Sequence, residues 1–230
     1  KGGFLLKGEP AVAVERARPA PDVTGLDLSV CLPETIREHV LADAEDAEHR
    51  PIATAFIEFR DTDAVLEREG PDVLAAAIDE LIVAVQDAVH DHKVVFSETD
   101  ISSNGGKILL IAGAPVSAGD DEERMLRTAR AVIDQEFRLP IRIGVNCGRV
   151  FTGDFGPPYR RTYSCHGDAL NTAARIMGKA QPGQALATEE VLARSRTKFE
   201  LTPAGSFVLK GKAQPVAAYE SGPGSARGTH

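Results

Sequence analysis

Residues 161–175 read Arg-Thr-Tyr-Ser-Cys-His-Gly-Asp-Ala-Leu-Asn-Thr-Ala-Ala-Arg. The stretch changes character at Asp168, a residue suited to capping a helix that starts at Ala169 and ends near Gly178. Leu170, Ala173, Ala174, Ile176 and Met177 cover most faces of that helix and dock it. Asn171 and Arg175 are spaced i,i+4 and share one face. Alone, such a pair reads as a solvated face, so its meaning depends on the surrounding sequence.

Outward from this helix, short strand-like runs alternate with amphipathic helices. Ile52–Phe59 is apolar and partly β-branched, which predicts a buried strand. Val73, Leu74, Ala77, Leu81, Ile82, Val85 and Val89 mark a helix over 71–93, and Val94–Phe96 is a strand. Asn104-Gly105-Gly106 is a hairpin turn, with Lys107–Ala112 as its return strand. Acids at 120–123 open a helix running to about Phe137. Ile141–Asn146 and Arg149–Phe151 are strands around Cys147-Gly148, and a polar loop follows. Ala185–Thr188, Phe199–Thr202 and Phe207–Leu209 close the sheet. The order lacks a clean parallel βαβ repeat. It predicts an α+β fold of the ferredoxin-like kind, a mostly antiparallel sheet flanked by helices.

An internal echo sets the domain bounds. Residues 2–8 (Gly-Gly-Phe-Leu-Leu-Lys-Gly) and 205–211 (Gly-Ser-Phe-Val-Leu-Lys-Gly) agree at five of seven positions. Each continues through a proline into a strand-like segment ending in Glu15 or Glu220. Tandem homologous domains are the expectation. Residues 1–15 are then the last strand of an upstream domain, and 16–50 a linker with a short helix after Pro33 bearing Leu32, Ile36, Val40 and Leu41. Residues 51–221 are the main domain, and 222–230 a disordered tail. The chain begins at Lys1, which reads as a piece of a longer protein.

The 230 residues carry 26 Lys+Arg against 34 Asp+Glu, a net charge of −8. That balance argues against a nucleic-acid or anionic-membrane surface, and no apolar run approaches a membrane span. Three cysteines form no disulfide framework and fit a reducing, cytoplasmic setting. Cys147, Cys165 and His166 lack zinc-ligand spacing. A Cys165–His166 nucleophile pair would be adjacent in a strand, where neighbours point to opposite faces.

The 161–175 stretch resembles the class III adenylate/guanylate cyclase signature Arg-x-Tyr-x-x-x-Gly-Asp-x-Val-Asn-x-Ala-Ala-Arg. Ile141–Gly153, Gly113-Ala-Pro-Val and Leu209-Lys-Gly-Lys are similar to further landmarks of that family, and the likeness covers about 51–221. The resemblance implies attack of a ribose 3′-hydroxyl on the α-phosphate of ATP or GTP, assisted by two metal ions on a pair of Asp carboxylates. It assigns ribose orientation to Asn171 and charge stabilisation at phosphorus to Arg175. The metal positions depart from the pattern: Glu58 stands at the first Asp and Gly106 at the second. Glycine offers no ligand, and Glu58 reads as an ordinary strand-end carboxylate. Mg²⁺ or Mn²⁺ is therefore expected only from a partner domain. The base-selecting positions are Ser102 and Ser164, two hydroxyls that specify no purine. Asp61 and Asp63 read as solvated turn residues.

Family domains pair head to tail with composite sites, so a homodimer or pairing with the upstream domain is expected. Two functions follow. One is a half-site giving Asn171 and Arg175 to a metal-bearing partner. The other is an inactive cyclase-like module used for dimerisation, nucleotide sensing or regulation.

Overall fold

The computed structural model describes residues 24–27, 32–42, 47–157 and 161–225. The chain divides into two compact units, 1–31 and 32–230. Of the first, only Thr24–Asp27 is described, and it contains a turn at Thr24-Gly25. The strand expected within 1–15 lies outside the described residues, as does the end of the tail at 226–230.

The second unit runs α1 (Glu34–Leu41), β1 (Glu48–Arg60), α2 (Thr62–Glu69), α3 (Pro71–His92), β2 (Val95–Ser102) and β3 (Gly105–Ala112). It continues with α4 (Asp121–Ile133), β4 (Ile141–Phe155), β5 (Thr162–His166), α5 (Asp168–Met177), β6 (Ala185–Thr188), α6 (Glu189–Arg194), β7 (Lys198–Phe207) and β8 (Val216–Ser225). The strands form one open sheet in the order β2-β3-β1-β4-β6-β8-β7, with β5 added on β4. Every described pairing is antiparallel except β4 with β6. This is the mostly antiparallel α+β fold that the sequence predicts.

Alternation along β1 divides the core. Ala53, Ala55, Ile57 and Phe59 join Leu81 and Val85 of α3 and Met125, Leu126 and Ala129 of α4 on one face. Ile52 and Phe56 face the other way, against Ile111 of β3, Cys165 of β5 and Ala169 and Leu170 of α5. Pro71 fits the first turn of α3, where its missing N–H costs nothing. Asn104, at φ 61°, turns β2 into β3 as its sequence predicts.

Several local expectations are corrected. Cys147-Gly148 does not break β4, because β1 pairs across both residues (Ala53 with Cys147, Ile52 with Gly148). Asp61 and Asp63 are exposed as expected, but they precede and open α2 rather than lying in a turn. Helix α4 stops at Ile133, short of Phe137. The two strands expected around 199–209 are one, β7, and α6 was not anticipated. Pairing extends past the expected 51–221 bounds at both ends, with Glu48 opposite Thr152 and Lys198 opposite Ser225. The expected linker helix exists as α1, but Leu32, Val40 and Leu41 are exposed. It docks instead through His39, whose ring meets Tyr163 edge-on at 4.7 Å and lies 3.6 Å from Asp154.

Helix α5 lies unusually close to β4. A Cβ on Gly144 would overlap the Met177 amide nitrogen and fall 2.5 Å from the Ala173 carbonyl oxygen. Those atoms belong to the helix backbone and cannot yield by a rotamer change. Gly144→Ala is expected to cost about 2 kcal/mol or more and lower the thermal midpoint by several degrees. An unchanged midpoint would mean that α5 does not sit as close to the sheet as described.

Candidate active site

Helix α5 is held on both sides. Ala169, Thr172, Ala173, Ile176 and Met177 are buried. Below it, the buried Asn146 amide donates to the Ala169 carbonyl at 3.0 Å, and its oxygen accepts from Thr188 Oγ1 at 2.8 Å. What remains outward is a strip of Asp168, Asn171 and Arg175. Asn171 is exposed, and the Arg175 side chain is 33% exposed. Asp168 is not the helix cap: Gly167 takes that position, and Asp168 is the first helical residue. Its carboxylate meets Lys212 Nζ at 2.5 Å and lies 4.0 Å from Arg175 Nη1. Lys212 belongs to the Leu209-Lys-Gly-Lys landmark but is not singled out by the sequence, and Asp168, expected as the helix cap, is instead its partner.

The end of β1 holds an ion-pair cluster. Glu58 Oε2 accepts from Arg142 Nε at 2.5 Å and from Arg60 Nε at 2.8 Å. Arg142 also donates through Nη1 to the carbonyls of Gly178 (3.3 Å) and Ala180 (3.0 Å) just past α5. Burial alone would raise the Glu58 carboxyl, but the hydrogen bonds and charges of Arg142 and Arg60 outweigh it and hold the group below the usual glutamate range. Gly106, the second metal position, is closed. A Cβ there would come within 2.5 Å of Phe59 Cζ and 2.8 Å of the Asp100 carbonyl. Among the described residues, no three His, Cys, Asp or Glu side chains converge. The two metal positions do not suit a divalent cation: Glu58 Oε2 is held by two guanidinium groups that offset its charge, and a Cβ at Gly106 would meet Phe59 and the Asp100 carbonyl.

Ser102 ends β2, is exposed, and donates to the Gly105 carbonyl at 3.4 Å. Ser164 is half-buried on β5 opposite Gly153. The two hydroxyls are not bonded to each other. Cys147 and Cys165 are buried, and burial pushes both thiols up to about 12, which leaves them without thiolate character. His166 is exposed beside the buried Cys165, as strand alternation requires. A cavity of about 350 Å³ borders the N-terminal half of α5, lined in part by Asn146, Arg149, Asp168, Thr172, Glu190 and Lys212. Asn171 and Arg175 lie outside it.

Because its folded pKa is depressed, Glu58 contributes stability above the ordinary glutamate range and loses it as pH falls through the lower folded value. Glu58→Gln should therefore flatten the fall in thermal midpoint between about pH 5 and pH 3. A slope identical to the parent's would remove the ion pair from the account.

A profile described as the adenylate and guanylate cyclase catalytic domain matches residues 45–220. Adenylate cyclase 1 of Rhizobium meliloti is 25% identical over 190 residues, covering 76% of this chain and 28% of that protein. An uncharacterised Mycobacterium tuberculosis protein is 29% identical over 177 residues, covering 74% of this chain. The chain spans only 32% of that relative's length. The adenylyl cyclase CyaB from P. aeruginosa superposes with a TM-score of 0.68 at 19% identity, over 79% of this chain and 98% of that one. The guanylate cyclase domain of RhGC from Catenaria anguillulae, solved with GTP, superposes at 0.67 and 21% identity, over 78% and 100%. Among the described residues no helix is long and apolar enough to cross a membrane. Matched over most of its length by one catalytic-domain profile, the chain belongs to the adenylate and guanylate cyclase catalytic domain family.

Proposed function

We propose that this chain is the metal-free half of a composite nucleotide cyclase site. The observation that carries the reading is the contrast between two ends of one domain. Asn171 and Arg175 stand outward on a helix fixed to the sheet, whereas Glu58 and Gly106 are closed to a cation. The partner, a second copy or a homologous upstream domain, brings the metal carboxylates. A second copy would repeat the same deficiency, so a homologous domain with both carboxylates is the better match.

In the reaction, the ribose 3′-oxygen forms a bond to the α-phosphorus of ATP or GTP and its proton leaves to solvent. The bond from the α-phosphorus to the bridging oxygen breaks, and pyrophosphate departs. Negative charge builds on the α-phosphoryl oxygens. A guanidinium held by a docked helix stabilises that charge without reorganising. Asn171, one turn earlier, has a donor and an acceptor with which to orient the ribose. Ser102 and Ser164 do not choose between the purines. The cytoplasmic setting inferred from cysteine usage is where these nucleotides are plentiful.

The test mixes this chain with a class III cyclase domain that keeps both metal carboxylates. Alone, with Mg²⁺ or Mn²⁺, the chain should form little cyclic nucleotide, and the mixture should turn over. Arg175→Ala should lower kcat about 10²–10³-fold with KM changed much less. Asn171→Ala should also lower turnover, and neither variant should unfold the domain. Failure of the mixture to turn over, or indifference to Arg175→Ala, would replace this reading with the inactive dimerisation or nucleotide-sensing module. Gly106 and the undiscriminating hydroxyls at Ser102 and Ser164 favour that alternative.

A further inference from the structure

The Leu209-Lys-Gly-Lys segment, whose first three residues echo Leu6-Lys7-Gly8, has no role in the reading above. Its geometry supplies one. Leu209 is 3% exposed and packs with Ile176 of α5, Ala180 and Leu186, which anchors the segment on the helix that carries Arg175. The Lys212 amide donates to the Leu209 carbonyl at 3.0 Å, closing a turn. Gly211 sits in that turn at φ 80°, and an added Cβ would lie 4.0 Å from Arg175 Nη1. The turn therefore runs alongside the guanidinium. Lys212 then reaches Asp168, whose other carboxylate oxygen lies 4.0 Å from the same Nη1. That nitrogen is buried and makes no hydrogen bond.

We propose that Lys212 and Asp168 are positioning residues for Arg175: the Lys212–Asp168 pair fixes a carboxylate beside the guanidinium without consuming its donor. A separation of 4.0 Å is outside hydrogen-bond reach but close enough for attraction between opposite charges. The carboxylate offsets the repulsion that Lys212 would otherwise exert on Arg175. Nη1 stays buried against the turn and the carboxylate, and the part of the side chain that is exposed, 33% overall, is left for the oxygens of a phosphoryl group. This inference rests on the half-site reading for its function, but the positioning can be measured without turnover.

Three variants test it: Asp168→Asn, Lys212→Met and the conservative Lys212→Arg. The pair is partly exposed, at 31% for Lys212 and 57% for Asp168. Thermal midpoints should therefore hardly move. In the 230-residue chain alone, the ¹⁵N Nε–Hε resonance of Arg175 is identified by its disappearance in Arg175→Lys. It should shift or broaden in Asp168→Asn and Lys212→Met and stay in place in Lys212→Arg. In the active mixture, the first two should lower kcat by about ten- to a hundredfold at nearly constant KM, with Lys212→Arg close to the parent. A resonance and kcat that match the parent in both Asp168→Asn and Lys212→Met, while Arg175→Ala still lowers kcat as above, would overturn the positioning role and leave the half-site reading intact. A displaced resonance in a mixture that never turns over would keep the positioning and remove the half-site.

Discussion

Glu58 accepts from both Arg142 and Arg60 through Oε2, and Arg142 carries the connection on to the carbonyls that follow α5. The last carbonyls of a helix have no partners of their own, and a guanidinium is well matched to them by geometry and by the sign of the helix dipole. One side chain thus joins the end of β1 to the helix that presents Asn171 and Arg175. Partly buried charges are tolerated only when paired and hydrogen-bonded, so this cluster stands or falls as a unit. The close approach of α5 to Gly144 and the Asn146 bond to the Ala169 carbonyl fix the rest of the helix. Arg175 is therefore displayed from a support with little freedom.

The same interaction decides what this domain lacks. Two guanidinium groups on Glu58 Oε2 set positive charge where a cation would have to sit, and Gly106 is pressed between Phe59 and the Asp100 carbonyl. Restoring an aspartate at 106 would require the Phe59 ring to move out of the core that it shares with α3 and α4. The two ends of the domain differ accordingly: one is closed by packing and ion pairing, and the other carries a polar strip on a fixed helix.

Much of this was legible in local sequence. The spacing of Leu170, Ala173, Ile176 and Met177 defines α5 and leaves Asn171 and Arg175 together, because helical periodicity is a short-range property. Asn104-Gly105 gives the hairpin for the same reason. The pairing of Glu58 with Arg142 was not legible. It depends on the register of β1 against β4, two strands separated by some eighty residues of chain, which no local pattern specifies. Lys212 reaches Asp168 across β6, α6 and β7, and its motif gave notice of importance but not of a partner. The continuity of β4 through Cys147-Gly148 was not legible because pairing with β1 overrode the local breaker signal.

The central claim is that this domain brings an arginine to the site and no metal. Electron paramagnetic resonance of Mn²⁺ titrated into the chain alone at neutral pH tests it most directly. The account predicts that the free-ion signal grows in proportion to added Mn²⁺, in the parent chain and in Glu58→Gln alike. A stoichiometric loss of free-ion signal in the parent that is abolished in Glu58→Gln would contradict it, because Glu58 would then be a metal ligand and not the anchor of Arg142.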